Sequence, residues 1–262
     1  MKRYTLLATM LSAFSSPAIS QEILRPPFVV DAAIFRALED ERRPAEDRAR
    51  DEARRASTIL AFTEVGRGDR VADLVVGGGY FTRLFASVVG PDGRVLAWQP
   101  GEFVAFQASY GEQLEAVDAA YENVDGQISP FAELELEEGA YDLVFTAQNY
   151  HDFHLNPFPP ETAGGVNAEI FRALEPCGRY FVIDHHAAAG TGFTVSHTLH
   201  RAEETAVTAE IEAAGFRLIG TSDILENADD PLTANVFDEG IRGRTSQFVL
   251  VFQKPGGGCE AA

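Results

Sequence analysis

The six histidines of the chain all fall between positions 151 and 200: His151, His154, His185, His186, His197 and His200. Two of them stand beside carboxylates, His151 before Asp152 in "NYHDFH" and His185 after Asp184 in "IDHH". An imidazole titrates near neutrality, and a neighbouring carboxylate orients it and raises its basicity. His151, Asp152, Asp184 and His185 are therefore the candidate catalytic residues, with His151 or His185 as general base. The same window also offers nitrogen and oxygen ligands to a cation, through His151-x-x-His154, Asp184-His185-His186 and His197-x-x-His200. No H-E-x-x-H or cysteine–histidine spacing accompanies them, and adjacent histidines on an extended segment point apart, so no resident metal is expected. His154 and His200 read equally well as surface or capping residues.

From Arg70 onward, short apolar runs alternate with helical periods. The pattern predicts strands at Arg70–Leu74, Arg94–Trp98, Asn123–Ile128, Tyr141–Thr146, Arg179–Asp184, Phe216–Ser222 and Gln247–Gln253. It predicts helices near Tyr80–Val89, Glu102–Glu122, Val166–Leu174 and Ala202–Ala214. Strand–helix alternation with turns at "PDG", "EEGAYD" and "PCGR" implies an α/β fold with a mostly parallel sheet and helices on both faces. "NYHDFH" follows the fourth predicted strand and "IDHH" the fifth. In open α/β sheets the ligand crevice lies outside the carboxyl ends of the strands, so both clusters fall where a ligand would sit. Residues 224–246 are too long for an ordinary connection and are expected to form a partly ordered excursion.

The first of these strands runs into glycines, in "VADLVVGGGYFTRLF". A dinucleotide turn needs G-x-G-x-x-G, and Thr82 stands at the third glycine position; a phosphate loop needs a lysine, and none is near. A third reading has the glycines serving only close backbone approach to a ligand without phosphate. "VADLVVGGGYFTRLFASVVGPDGRVLAWQP" resembles the first motif, first helix and second strand of the class I S-adenosylmethionine-dependent methyltransferases. "YDLVF" resembles their fourth strand and "LEPCGRYFVID" the turn into their fifth. More narrowly, "RDEARRASTIL", "AQNYHD" and "IDHHAAAGTG" resemble a group of predicted bacterial methyltransferases. The resemblance implies a Rossmann-like seven-stranded sheet with an antiparallel last strand and S-adenosylmethionine as cofactor; the acidic composition without basic stripes makes a small molecule carrying a hydroxyl or similar group the expected acceptor. The resemblance also implies cofactor contacts from Asp73, Gly77, Gly79, Tyr80, Phe81, Thr82, Gln99, Asn149 and Tyr150. Val75 replaces the first glycine of the family's turn. Gln99 stands where the family places an acid for the ribose, and as a neutral amide it would accept from one hydroxyl at a loss of ~1 kcal/mol. Glu102 is a second candidate for the same ribose. A non-catalytic binding module that kept the fold, and a metal-dependent enzyme built on the histidines, stay open beside methyl transfer.

A chain of 262 residues with 45% hydrophobic content can bury one large core. Its net charge of −19 argues against nucleic acid and anionic membrane surfaces as partners. Lys2, Arg3, the apolar segment Leu6–Phe14 and the small residues of "SSPAIS" read as a signal peptide cut before Gln21, hence export to the periplasm. No later stretch approaches the ~18 apolar residues of a membrane span. The expected organisation is 1–20 signal peptide, 21–60 helical extension, 61–256 methyltransferase-like domain and 257–262 flexible tail. "RDEARR" reads as a solvated helical charge network. Cys177 and Cys259 read as incidental, because spacing alone gives no bridge geometry.

Overall fold

The β-branched and aromatic runs after Arg70 pair into one mixed sheet in a computed structural model of the chain, which describes residues 22–24 and 31–259. The strands are β1 (Glu22–Ile23), β2 (Arg70–Leu74), β3 (Arg94–Pro100), β4 (Val124–Ser129), β5 (Tyr141–Ala147), β6 (Leu174–His185), β7 (Arg217–Ser222) and β8 (Gln247–Gln253). Their order is β1-β7-β8-β6-β5-β2-β3-β4, with β8 antiparallel to both β6 and β7 and every other pair parallel. The seven expected strands and the antiparallel last one are thus present, and the two-residue β1 adds an eighth at the edge. β6 starts earlier than the apolar run implies, because Leu174 already pairs with Tyr141 ahead of a bulge.

The helices are α1 (Ala32–Leu38), α2 (Ala45–Arg48), α3 (Ala56–Thr63), α4 (Tyr80–Val89), α5 (Gly101–Phe106), α6 (Ser109–Ala120), α7 (Thr162–Ala173), α8 (Ser196–Leu199) and α9 (Glu204–Ala213). Asp31 caps α1, its carboxylate accepting the Ala33 N–H at 2.6 Å. The single helix expected over Glu102–Glu122 is two, because Gln107 is extended at φ −143° and ψ 100°. No helix among the described residues is long and apolar enough to cross a membrane.

Successive strand residues point to opposite faces, so each strand feeds two cores. Val71 joins α1, α3, α4 and α6 on one face, while Ala72 and Leu74 join α7 and α9 on the other. Covering both faces is what a parallel sheet demands. Phe81 and Phe85 of α4 pack against Phe145 of β5, tilted and edge-on, and Phe145 stacks on Phe181 of β6 at 5.6 Å. That file of rings fixes α4 over the strands whose ends carry the candidate chemistry.

Ile34, Ala37, Ile59, Leu60 and Phe62, before β2, are buried in the same core as α4. Two expectations are corrected here. "RDEARR" is a turn rather than a solvated helix, and Asp51 there bonds the buried Arg43 at 2.5 Å. Cys177 and Cys259 form a disulfide with Cα atoms 5.3 Å apart, an ordinary bridging distance. The β6–β8 ladder brings them together: Cys177 N–H donates to Lys254 O and Lys254 N–H to Gly178 O, returning the tail to the turn before β6. The tail at 257–259 is accordingly tethered. The leader expected over 1–20, its cut before Gln21, and residues 260–262 lie outside the described residues.

Candidate active site

The turn after β2 has left-handed backbone at Val75 (φ 59°), Gly77 (φ 53°) and Gly79 (φ 75°). A β-branched residue is rare there, so Val75 keeps a conformation suited to glycine. It is held on both sides: its N–H donates to Trp98 O at 2.9 Å, and its carbonyl accepts from Asn149 Nδ2 at 3.0 Å. The glycines divide the work. A Cβ on Gly79 would lie 2.4 Å from Val117 Cγ2, so this glycine lets α4 approach α6. A Cβ on Gly77 would meet nothing within 4 Å, so the backbone there borders open space.

Several residues that the resemblance assigns to the cofactor have their side chains engaged within the protein. Thr82 Oγ1 donates to Asp73 Oδ2 at 2.6 Å with both side chains buried, and burial pushes the Asp73 carboxyl up to about 7. Phe81 is spent on the aromatic file. Tyr150 is fully buried, its hydroxyl donating to Glu210 at 2.7 Å and accepting from Asn167. Tyr80 donates to Asp51 at 2.6 Å, and the Arg54 guanidinium lies 4.6 Å from its ring centre, with Arg50 and Arg43 just beyond. Gln99 is turned around relative to the expectation. Its Oε1 accepts the Gly77 N–H at 2.9 Å, which leaves the buried Nε2 without a partner. What it offers a ligand is a donor, not an acceptor. Glu102 accepts the Phe131 N–H.

At the ends of β5 and β6 the histidines are re-paired. Asp184 and His185 are consecutive on a strand and point to opposite sides, so their side chains do not meet. His151 reaches Asp184 instead, carried round by the 3₁₀ turn Tyr150–His154. Its ring Nδ1 lies 2.8 and 3.0 Å from the two Asp184 oxygens, and its backbone N–H donates to Oδ2 at 2.6 Å. Its Nε2 lies 3.2 Å from Asp152 Oδ1. His185 shares a hydrogen bond with Thr245 Oγ1 at 2.8 Å through Nδ1, and only its backbone N–H bonds Asp184.

The charges follow. Burial works against a charge on His151, but the Asp184 and Asp152 carboxylates outweigh it and raise its pKa to about 10. Burial likewise opposes the Asp184 carboxylate, and the His151 ring overcomes it and lowers that pKa. His185, buried without a side-chain carboxylate partner, is pushed down to about 3. Near neutral pH the site holds one imidazolium and one neutral imidazole, ring centres 6.0 Å apart.

Of the other histidines, only His200 joins this group. Its Nδ1 is 4.0 Å from Asp152 Oδ1 and its ring meets His151 edge-on at 5.4 Å. His154 stacks on Phe193 and bonds Glu210, and His197 is exposed. Sequence reasoning left His200 between ligand and surface residue, where the loop after β6 returns it to the site, and missed Gln148, which ties Arg54 to Gln247 across the strand ends. The left-handed backbone of both residues carried no cue in their residue types. Two surface cavities, about 710 and 450 Å³, flank α1 at the opposite end of the sheet and touch neither the glycine turn nor the histidines. The chemistry-bearing side chains mark the site better than cavity volume does.

No family model and no curated protein matches the sequence. Solved structures do. A S-adenosylmethionine-dependent methyltransferase from Aquifex aeolicus is similar over 82% of this chain and 96% of its own, at 18% identity and a TM-score of 0.52. A putative sarcosine dimethylglycine methyltransferase from Galdieria sulphuraria is similar over 83% and 90%, at 14% identity and a TM-score of 0.56. SpnF, a [4+2]-cyclase, is similar over 81% and 82%, at 18% identity and a TM-score of 0.54. Fold alone therefore leaves the reaction open. With its β8 hairpinned antiparallel between β6 and β7 and its glycine turn after β2, the chain has the Rossmann-like fold of the class I S-adenosylmethionine-dependent methyltransferases.

Proposed function

We propose that this chain transfers a methyl group from S-adenosylmethionine to a small-molecule acceptor bearing a hydroxyl or similar group, with His151 as general base. The observation that carries the reading is the Asp184–His151 pair at the carboxyl ends of two adjacent strands, beside the glycine turn on the neighbouring β2. The turn suits the cofactor at two points: open space over Gly77, and a buried Gln99 Nε2 that lacks a partner. When bound, S-adenosylmethionine supplies an electrophilic methyl with its own leaving group, so the protein has to position an acceptor and take its proton. Asp184 holds Nδ1, which leaves Nε2, 3.2 Å from Asp152 Oδ1, as the proton-accepting atom once His151 has lost its proton. Because the Asp184–His151 pair favours the imidazolium, methyl transfer rises toward alkaline pH as His151 loses its proton. The acidic surface, net charge −19, supports a small acceptor rather than nucleic acid.

We place the enzyme outside the cytoplasm. The signal-like leader motivates that, and the Cys177–Cys259 bridge supports an oxidising compartment. One observation favours a second reading, a binding module without catalysis: valine occupies the left-handed position at 75 where glycine belongs. Calorimetric titration with S-adenosylmethionine and with its demethylated product separates the two. Saturable binding of both, with label from the methyl donor appearing in a hydroxyl acceptor, supports the enzyme. No heat at millimolar ligand favours the binding module, and transfer that survives both His151→Ala and His185→Ala removes the base assignment.

A further inference from the structure

We infer that His151, Asp152 and His200 form a binding site for a divalent transition-metal cation of the zinc class. Each side chain presents one ligand atom, and the three atoms lie within 4.8 Å of one another. Nε2 of His151 is 3.2 Å and Nδ1 of His200 is 4.0 Å from the same Asp152 oxygen. A tetrahedral ion with bonds of ~2.1 Å separates its ligands by about 3.4 Å, so a small rotation of the His200 side chain completes the set. Two imidazole nitrogens and one carboxylate oxygen, with no sulfur, suit zinc or cobalt better than calcium or magnesium.

The surroundings of His151 point the same way. A metal-bound histidine almost always gives its other ring nitrogen to a carboxylate, which fixes the tautomer and aims the free nitrogen at the ion. Asp184 does this here: it occupies Nδ1 at 2.8 Å and also takes the His151 backbone N–H, so the ring is held at two points. Three protein ligands leave a fourth position for water or substrate, the pattern of catalytic rather than structural zinc. His200 is the accessible side of the set, its side chain 26% exposed against 4% for His151. The inference stands apart from methyl transfer, since it concerns ion binding by the resting protein. The His151 Nε2 lone pair serves either an acceptor's proton or a cation, not both, so a bound ion and the base role exclude each other.

The test is titration of Zn²⁺, and separately Co²⁺, into untagged, chelator-stripped protein with its disulfide intact. We expect one ion per chain, and with Co²⁺ the visible absorption of a low-coordinate site. His200→Ala, at the most accessible of the three positions, and Asp152→Asn abolish stoichiometric binding. Asp184→Asn weakens it by about 10–100-fold through loss of ring orientation. His197→Ala, at the exposed histidine nearby, leaves it unchanged. Circular dichroism confirms that each variant is folded. Absence of binding to the parent protein, or stoichiometric binding that persists in both His200→Ala and Asp152→Asn, overturns the inference.

Discussion

The Asp184 carboxylate takes both the ring Nδ1 and the backbone N–H of His151, a residue 33 positions earlier in the chain. One buried anion thereby closes a turn and orients a side chain at once. Each partner removes the other's desolvation problem, because an unpaired charge here would cost several kcal/mol. The pair joins the turn after β5 to the end of β6, so the same contact fixes that turn and sets the chemistry at the strand tips.

The pair gives stability a defined pH dependence. The folded pKa of His151, about 10, lies above its unfolded value near 6.5. Its contribution is therefore full below about pH 6.5 and is lost as pH rises toward 10, by at most about 1.4 kcal/mol per pH unit. His185 acts on the other side: its folded pKa of about 3 means that stability falls as pH drops below 6.5. The Asp73 carboxyl, raised to about 7, has the opposite slope over the same range and offsets it, so urea midpoints measured from pH 5 to 10 are expected to be highest and nearly flat up to about pH 6.5 and to fall above it. Asp184→Asn costs about 3–5 kcal/mol at that optimum and flattens the alkaline side. An alkaline slope unchanged in Asp184→Asn would show that His151 does not carry it.

The disulfide makes a second claim. Cys177 and Cys259 are 82 residues apart, and a loop of that size restricts the unfolded chain by about 4.5 kcal/mol in the chain-entropy picture. Protein melted with reductant, and the Cys177→Ser/Cys259→Ser double variant melted without it, should lose the same stability. A double variant as stable as the oxidised parent contradicts the bridge.

Much of this was legible before the fold was known, and the failures have a common cause. The bounds of β2, β8 and α4 could be read to the residue, because period and turn chemistry are local. The placing of Asp184 and His151 at adjacent strand ends could be read too, since it follows from strand order. Their pairing could not: sequence adjacency suggested Asp184 with His185, and the pleat sends those two apart. Cys177 with Cys259, and His151 with His200, are likewise meetings set by ladders and loop returns. Gly79 and Gly77 look alike in the motif, and only the packing of α6 against α4 tells them apart.

That distinction can be measured. Gly79→Ala forces a methyl against Val117 in a left-handed backbone and is expected to cost about 2–4 kcal/mol of stability. Gly77→Ala meets open space and costs only the backbone term, about 1 kcal/mol. Toward S-adenosylmethionine the ranking inverts: Gly77→Ala fills the space a ligand would use and weakens binding at least about tenfold. Paired thermal melts and titrations of the two variants decide it. Equal effects on stability would remove the separate roles.

Val75 yields the sharpest case, because its side chain and its backbone pull in opposite directions. The side chain is buried in the core cluster that also holds Leu74, Trp98 and Phe153, so truncation loses about 1.5–3 kcal/mol of apolar burial. The backbone is left-handed at φ 59°, which costs a residue with a Cβ about 1–2 kcal/mol. Val75→Ala loses the burial and keeps the backbone penalty. Val75→Gly loses the burial and sheds the penalty. Glycine ordinarily falls about 0.5–1 kcal/mol below alanine when placed within regular structure. At this position the order is expected to reverse, with Val75→Gly more stable than Val75→Ala by about 1 kcal/mol. Because the valine side chain belongs to the core beneath the turn, affinity for S-adenosylmethionine should change by no more than about threefold in the glycine variant, or about 0.7 kcal/mol. Urea denaturation of both variants reads the first claim and calorimetry the second. Alanine proving the more stable would mean that residue 75 does not hold the left-handed backbone on which the shape of the turn depends.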